Sequence, residues 1–146
     1  MKYLLVDSCF WFACLTPEDQ YHDRAVEMFD EFANAEVQIL VPFPSLYETL
    51  NTDFVDHKER LFAFDQIIKQ RERVILIDDA NYKAVAYSNT VHQYPDTKVS
   101  LVDNIIIEIA KSGDYKIDAI VSFNERDFAQ FCGERGLLLS CYPSCF

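Results

Sequence analysis

The chain has 146 residues, half of them hydrophobic and 14% aromatic, with three Gly and five Pro, so one domain spanning 1–146 can bury a full core without metals or cross-links. Disordered, collagen-like and linker-rich classes are excluded, and no apolar run approaches the roughly 20 residues of a membrane helix. Twenty-four acids against 13 bases leave a net charge of -11, which disfavours indiscriminate adhesion to nucleic acid or anionic membrane, so any phosphate partner must be recruited locally.

Tyr3 to Val6 is a short apolar run ended by Asp7 and Ser8, as expected of a strand buried on both faces and followed at once by a helix. From Glu18 the period becomes helical, with Tyr21, Ala25, Met28, Phe29 and Phe32 recurring after the Thr16-Pro17 start signal. Val37 to Val41 is the second strand. Pro42 stops it, and Phe43, Leu46, Tyr47, Leu50 and Phe54 share one side of a predicted helix. A further helix buries Leu61, Phe64, Ile67 and Ile68. Val74 to Ile77 is the third strand, and Asp78-Asp79 opens a helix through Ala80, Ala84, Val85 and Tyr87. Gln93 to Lys98 is a loop. Val99 to Lys111 is apolar nearly all round and reads as a helix buried in the middle of the protein, ending at Gly113. Ala119 to Phe123, Arg126 to Arg135 and Leu137 to Leu139 complete the alternation as strand, helix and strand. Buried strands alternating with helices predict a parallel sheet covered on both faces, with any site beyond the carboxyl ends of the strands where their order reverses.

Five cysteines (Cys9, Cys14, Cys132, Cys141, Cys145) make an odd set with no pairable framework. The opening apolar run is broken by Asp7 before it could form a signal-peptide core. Reduced thiols in a cytoplasm are the expectation. His22, His57 and His92 lack metal-ligand spacing, no paired C-x-x-C suggests zinc, and Gly113, Gly133 and Gly136 cannot make a phosphate-cradling loop. No G-x-S-x-G elbow exists. Phe10, Trp11 and Phe12 are assigned to the core or a dimer seam in preference to base stacking, and Lys69, Arg71 and Arg73 to a solvated helix end.

Polar residues collect at the strand ends: Asp7, Glu48, Asp103, Asn124 and Asp127. Each has a second explanation in helix capping, since Ser45 to Glu48 and Ser100 to Asp103 both fit the capping-box spacing and Asn124 can cap the last helix. Asp103 is the least easily explained that way. It shares a stripe with Val99, Val102, Ile106 and Ala110 on the most apolar helix, so its carboxylate requires compensation by a cation, a basic partner or several hydrogen bonds. Its helix offers no base before Lys111. Glu48 lies off the stripe of Phe43, Leu46, Tyr47 and Leu50.

Four segments carry a resemblance: Tyr3-Leu4-Leu5-Val6-Asp7-Ser8, Val41-Pro42-Phe43-Pro44-Ser45-Leu46-Tyr47-Glu48, Ser100-Leu101-Val102-Asp103-Asn104, and Ile120-Val121-Ser122-Phe123-Asn124-Glu125-Arg126-Asp127-Phe128. In order and spacing they resemble the signature blocks of PIN-domain ribonucleases, most of all the small VapC-type toxins. The resemblance implies a three-layer α/β/α fold with a five-stranded parallel sheet in the order 3-2-1-4-5. It also implies a Mg²⁺- or Mn²⁺-dependent endoribonuclease whose cut leaves a 5′-phosphate and a 3′-hydroxyl. Asp7, Glu48 and Asp103 match the family's most dependable acids. The fourth position falls to Asn124, where many members carry Asp, or to Asp127; Cys9 stands where a small polar residue is common. On this reading Asp7 and Asp103 hold the main ion. Glu48 orients or deprotonates the attacking water, or bridges to a second ion near Asn124 and Asp127. Ser8, Ser100, Lys98 and Arg126 are the expected substrate-binding residues. The implied partners are an RNA substrate, a cognate antitoxin and a second copy of the chain. A catalytically inactive PIN-like domain that binds RNA or protein is the alternative.

Overall fold

The computed structural model describes residues 1–143; Cys145 lies outside the described residues. The strands are β1 (Lys2–Val6), β2 (Val37–Pro42), β3 (Val74–Ile77), β4 (Ala119–Val121) and β5 (Leu138–Ser140). They form a parallel sheet in the order β3-β2-β1-β4-β5. The helices are α1 (Ser8–Leu15), α2 (His22–Asn34), α3 (Phe43–Thr49), α4 (Thr52–Asp56), α5 (Lys58–Ile68), α6 (Lys83–Val91), α7 (Leu101–Ser112) and α8 (Glu125–Arg135). They make a three-layer α/β/α arrangement, as the resemblance implies.

Strand alternation divides the core in two. Leu4 and Val6 point to one face and pack with Phe10, Trp11, Met28 and Phe64 from the first five helices. Leu5 points to the other and packs with Ala86, Ile105, Ile106, Ile109 and Phe128 from the last three. Asp7 keeps an extended backbone (φ -82°, ψ 157°), so its side chain continues the parity of Leu5 and faces the layer that contains α7. The chain runs outward from β1 to β3 and returns to β4 on the other side. The order therefore reverses between β1 and β4, which pair Val6 with Val121.

Three expectations fail locally. The long helix after Pro42 is broken in two: Asn51 Oδ1 accepts the Phe54 N–H at 3.0 Å, starting α4 afresh, and Tyr47 (71% exposed) and Leu50 (40%) are not buried. The helix after β3 starts later than predicted because the Asp78 carboxylate accepts the Ala80 N–H at 2.7 Å and holds a turn. Its buried side is then Tyr82 and Ala86, while Val85 and Tyr87 face solvent. β4 ends at Val121 instead of Phe123, since the Phe123 N–H leaves the ladder to meet Cys9 Sγ at 3.3 Å.

Phe10, Trp11 and Phe12 form an aromatic centre, with Trp11 edge-on to Phe10 (5.4 Å) and Phe64 (5.5 Å), and Phe12 to Phe54 (6.0 Å). Trp11 is fully buried and its Nε1–H has no hydrogen-bond partner. Trp11→Phe should therefore unfold in urea within about 1 kcal/mol of wild type, because loss of an orphan donor offsets part of the cost of lost volume.

Candidate functional site

The carboxyl ends of β1 and β4 lie side by side, and the Asp7 N–H closes their ladder on Val121 O at 3.0 Å. Asp7 is 3% exposed and fully engaged. Its Oδ1 accepts the Ser8 N–H (2.7 Å), capping α1, while its Oδ2 accepts Ser122 Oγ–H (2.8 Å) and lies 3.2 Å from Cys9 Sγ. Ser8 Oγ sits 3.1 Å from Glu48 Oε1 and 3.4 Å from Asp7 Oδ1, so one hydroxyl hydrogen lies between two carboxylates.

Glu48 extends from α3, whose start at Phe43 leaves Ser45 fully buried and not capping. The Glu48 carboxyl is exposed at the rim, and its pKa is raised by partial burial and by the Asp7 charge, against the lowering effect of the Ser8 hydroxyl.

Asp103 reaches the site from α7. Ser100 caps that helix, its Oγ accepting the Asp103 N–H at 3.1 Å, which leaves the Asp103 carboxylate free of capping duty. Asn104 Nδ2 donates to Thr90 Oγ1 at 2.9 Å and anchors the start of α7 to α6. Asn124 precedes α8 but makes no side-chain cap. Its two amide hydrogens go to Asp103 Oδ2 (3.1 Å) and Asp127 Oδ2 (2.8 Å), so the amide bridges two acids. Arg126 Nε donates to Asp127 Oδ1 at 3.2 Å from an exposed position. Burial, the Asp7 charge and Asp127 together push the Asp103 pKa up to about 8. Burial would also raise Asp127, but hydrogen bonds from Asn124 and Arg126 hold it below the usual carboxylate range.

The five expected residues thus border one rim, joined through Ser8, Ser122 and Asn124. Lys98 and Ser100 are exposed at the entry to α7. Among the described residues no three Asp, Glu, His or Cys side chains, as they stand, form a group that could hold an ion. The reason is visible in the bonding. Asp7 is turned onto Ser122 and Cys9, and the compensation that Asp103 requires comes from the Asn124 amide and a raised pKa. The donor chemistry of the expected residues still fits a hard divalent cation, since it is carboxylate, hydroxyl and amide oxygen, and the Asp103 pKa is raised first by burial and then by the neighbouring negative charge of Asp7.

Sequence reasoning missed Ser122, Cys9 and Asn104 as parts of this assembly. Ser122 was findable as the first polar residue after β4, and Cys9 from its place where the resembled family commonly has a small polar residue; Asn104 gave no signal beyond standing next to Asp103. The Cys9 thiol is pushed up to about 12 by burial and by Asp7, so it is a neutral donor and no nucleophile.

Asn124→Asp should destabilise the metal-free protein by on the order of 1 to 3 kcal/mol at pH 8, because it removes two donors and adds a like charge between two acids. Added Mn²⁺ should recover most of that loss. Urea midpoints with and without the ion measure both effects.

The sequence matches no family model and no curated protein. Solved structures do match. VapC20 of Mycobacterium tuberculosis, a sarcin-ricin loop cleaving toxin, is 19% identical over 87% of this chain and 94% of its own, with a TM-score of 0.69. VapBC2 of Rickettsia felis, bound to a DNA fragment from its promoter, is 14% identical over 94% of this chain and 97% of its own, with a TM-score of 0.65. With the strand order and layering described above, the chain has the three-layer PIN-like fold of VapC-type toxins.

Proposed function

We propose that this protein is a Mg²⁺- or Mn²⁺-dependent endoribonuclease and the toxin of a toxin-antitoxin pair. The observation that supports the reading is the hydrogen-bonded relay that links Glu48, Asp7, Asp103 and Asp127 through Ser8, Ser122 and Asn124 beside the carboxyl ends of β1 and β4. The fold shared with a sarcin-ricin loop cleaving toxin supports it.

Asp7 and Asp103 would hold the ion, with Glu48, Asn124 and Asp127 around it. A bound divalent ion neutralises charge on a scissile phosphate and lowers the pKa of water. The chain's own residues do the rest. Ser122 and Ser8 fix the Asp7 carboxylate, and Asn124 fixes Asp103 against Asp127. Glu48, with its raised pKa, is suited to orient the attacking water and take its proton. Lys98 and Arg126 offer positive charge to flanking phosphates.

The test is cleavage of RNA in Mg²⁺ or Mn²⁺, stopped by EDTA. The second reading, a non-catalytic RNA- or protein-binding module, is favoured by Asn124, whose amide occupies the place between two acids. Absence of cleavage with either ion would select it. Co-expression with the neighbouring reading frame tests the antitoxin half: a small co-purifying protein should suppress the cleavage.

A further inference from the structure

Beside the acidic rim lies a cleft of about 430 Å³ that the proposed chemistry does not use. It shares Cys9 and Asn124 with the rim, and Phe12, Tyr21 and Phe123 supply aromatic walls. Gln20, which also lines it, is exposed. The Asp19 carboxylate accepts the Tyr21 N–H at 2.8 Å and fixes the loop that presents the ring.

The aromatic arrangement is directional. Phe10, wholly buried, lies 6.2 Å from Phe123 at an interplanar angle of 25°, and Phe123 lies 4.6 Å from Tyr21 at 10°. Three rings therefore stack outward from the core, with Tyr21 last. Arg24 is 5.3 Å from the Tyr21 centroid and 6.0 Å from that of Phe123. A cation on the outer face of Tyr21 would be far more distant from Phe123, so the guanidinium sits beside the stack, where it also lies 4.1 Å from the Tyr142 centroid.

We propose that this cleft binds an unpaired nucleobase of the RNA, next to the phosphate held at the acidic rim, with the base extending the Phe10-Phe123-Tyr21 stack. The proposal rests on the RNA-cleaving reading and deepens it. A cleft of this size accommodates a base with its ribose. Stacking on an aromatic side chain suits single-stranded or splayed-out RNA, whose bases expose their faces, and lets an acidic protein gain affinity without a basic groove. Gln20 is placed to read the edge of the base.

The probe is a short mixed-sequence single-stranded oligoribonucleotide carrying 2-aminopurine at each position in turn, titrated in Ca²⁺, with cleavage followed separately in Mg²⁺ or Mn²⁺. Wild type and Tyr21→Phe should quench the fluorophore at one position beside the cut. Tyr21→Ala should lose the quench and weaken binding roughly 5- to 100-fold, and an abasic nucleotide at that position should weaken wild-type binding to the same degree. The abasic RNA keeps the test independent of whether Tyr21→Ala folds. If neither change alters binding while cleavage persists, the subsite is overturned and the nuclease stands. Quenching without cleavage in either ion supports the subsite and sinks the nuclease reading, and no quenching at any position overturns the proposal.

Discussion

Asp7→Asn and Asp103→Asn should each lower RNA cleavage by on the order of 10²- to 10³-fold or more, with the fold intact. Both changes keep side-chain shape and remove one negative charge from the place where an ion and a phosphate would meet. Neither should unfold the protein. At position 7 the amide oxygen can still accept the Ser8 N–H, and the Ser122 hydroxyl can rotate to accept the new amine. At position 103 the amide oxygen can still accept from Asn124 while the amine donates toward Asp127. Glu48→Gln, at the exposed rim, should cost less. Unchanged cleavage in both variants, with circular dichroism matching wild type, would remove this cluster from the chemistry.

The same Asp103→Asn change should stabilise the protein when no metal is present, by on the order of 1 to 3 kcal/mol at pH 8. The sign follows from proton linkage. The folded pKa of Asp103 is raised to about 8, against about 3.9 for an unfolded Asp, so between those values the folded chain binds more protons than the unfolded one. Wild-type stability should therefore fall as pH rises through this window, by at most about 1.4 kcal/mol per pH unit, and level off above it. Asp127, held below its usual value, works in the opposite sense, but its window lies below about pH 4 and does not overlap. Denaturant melts from pH 4 to 9 in EDTA should show the decline in wild type and a smaller one in Asp103→Asn, where the raised Glu48 still contributes in the same sense. Mn²⁺ should then raise the wild-type midpoint and leave the variant almost unmoved. A variant less stable than wild type at pH 8 would reduce Asp103 to an ordinary part of its helix.

Much of the architecture was legible because it depends on the period of apolar residues. β1, β3 and α7 each announce themselves in this way, and Gly113 (φ 76°) ends α7 where only a left-handed residue fits easily. What failed turned on single polar side chains. Asn51 restarting a helix and Asp78 delaying another are hydrogen-bond choices that periodicity does not encode. The candidate acids were legible by position: Asp7 directly after β1, Glu48 a turn into the helix after β2, Asp103 in the first turn of the most apolar helix, and Asp127 shortly after β4. Their mutual arrangement was not. That Asn124 bridges two acids when it could have capped α8, and that Ser122 and Cys9 occupy the free oxygen of Asp7, depends on tertiary placement: Ser122 meets Asp7 across 115 positions and Asn124 meets Asp103 across 21.

The rim draws its first component from position 7 and its last from position 127, and the pairing of β1 with β4 is what brings them together. A ribosome that has made the first hundred residues holds a chain that lacks β4 and Asp127, and so cannot present the assembled acids to the RNA around it. Because the final quarter must leave the exit tunnel before β4 can pair with β1, the rim comes together only late in synthesis, and whatever it does is withheld from the nascent chain.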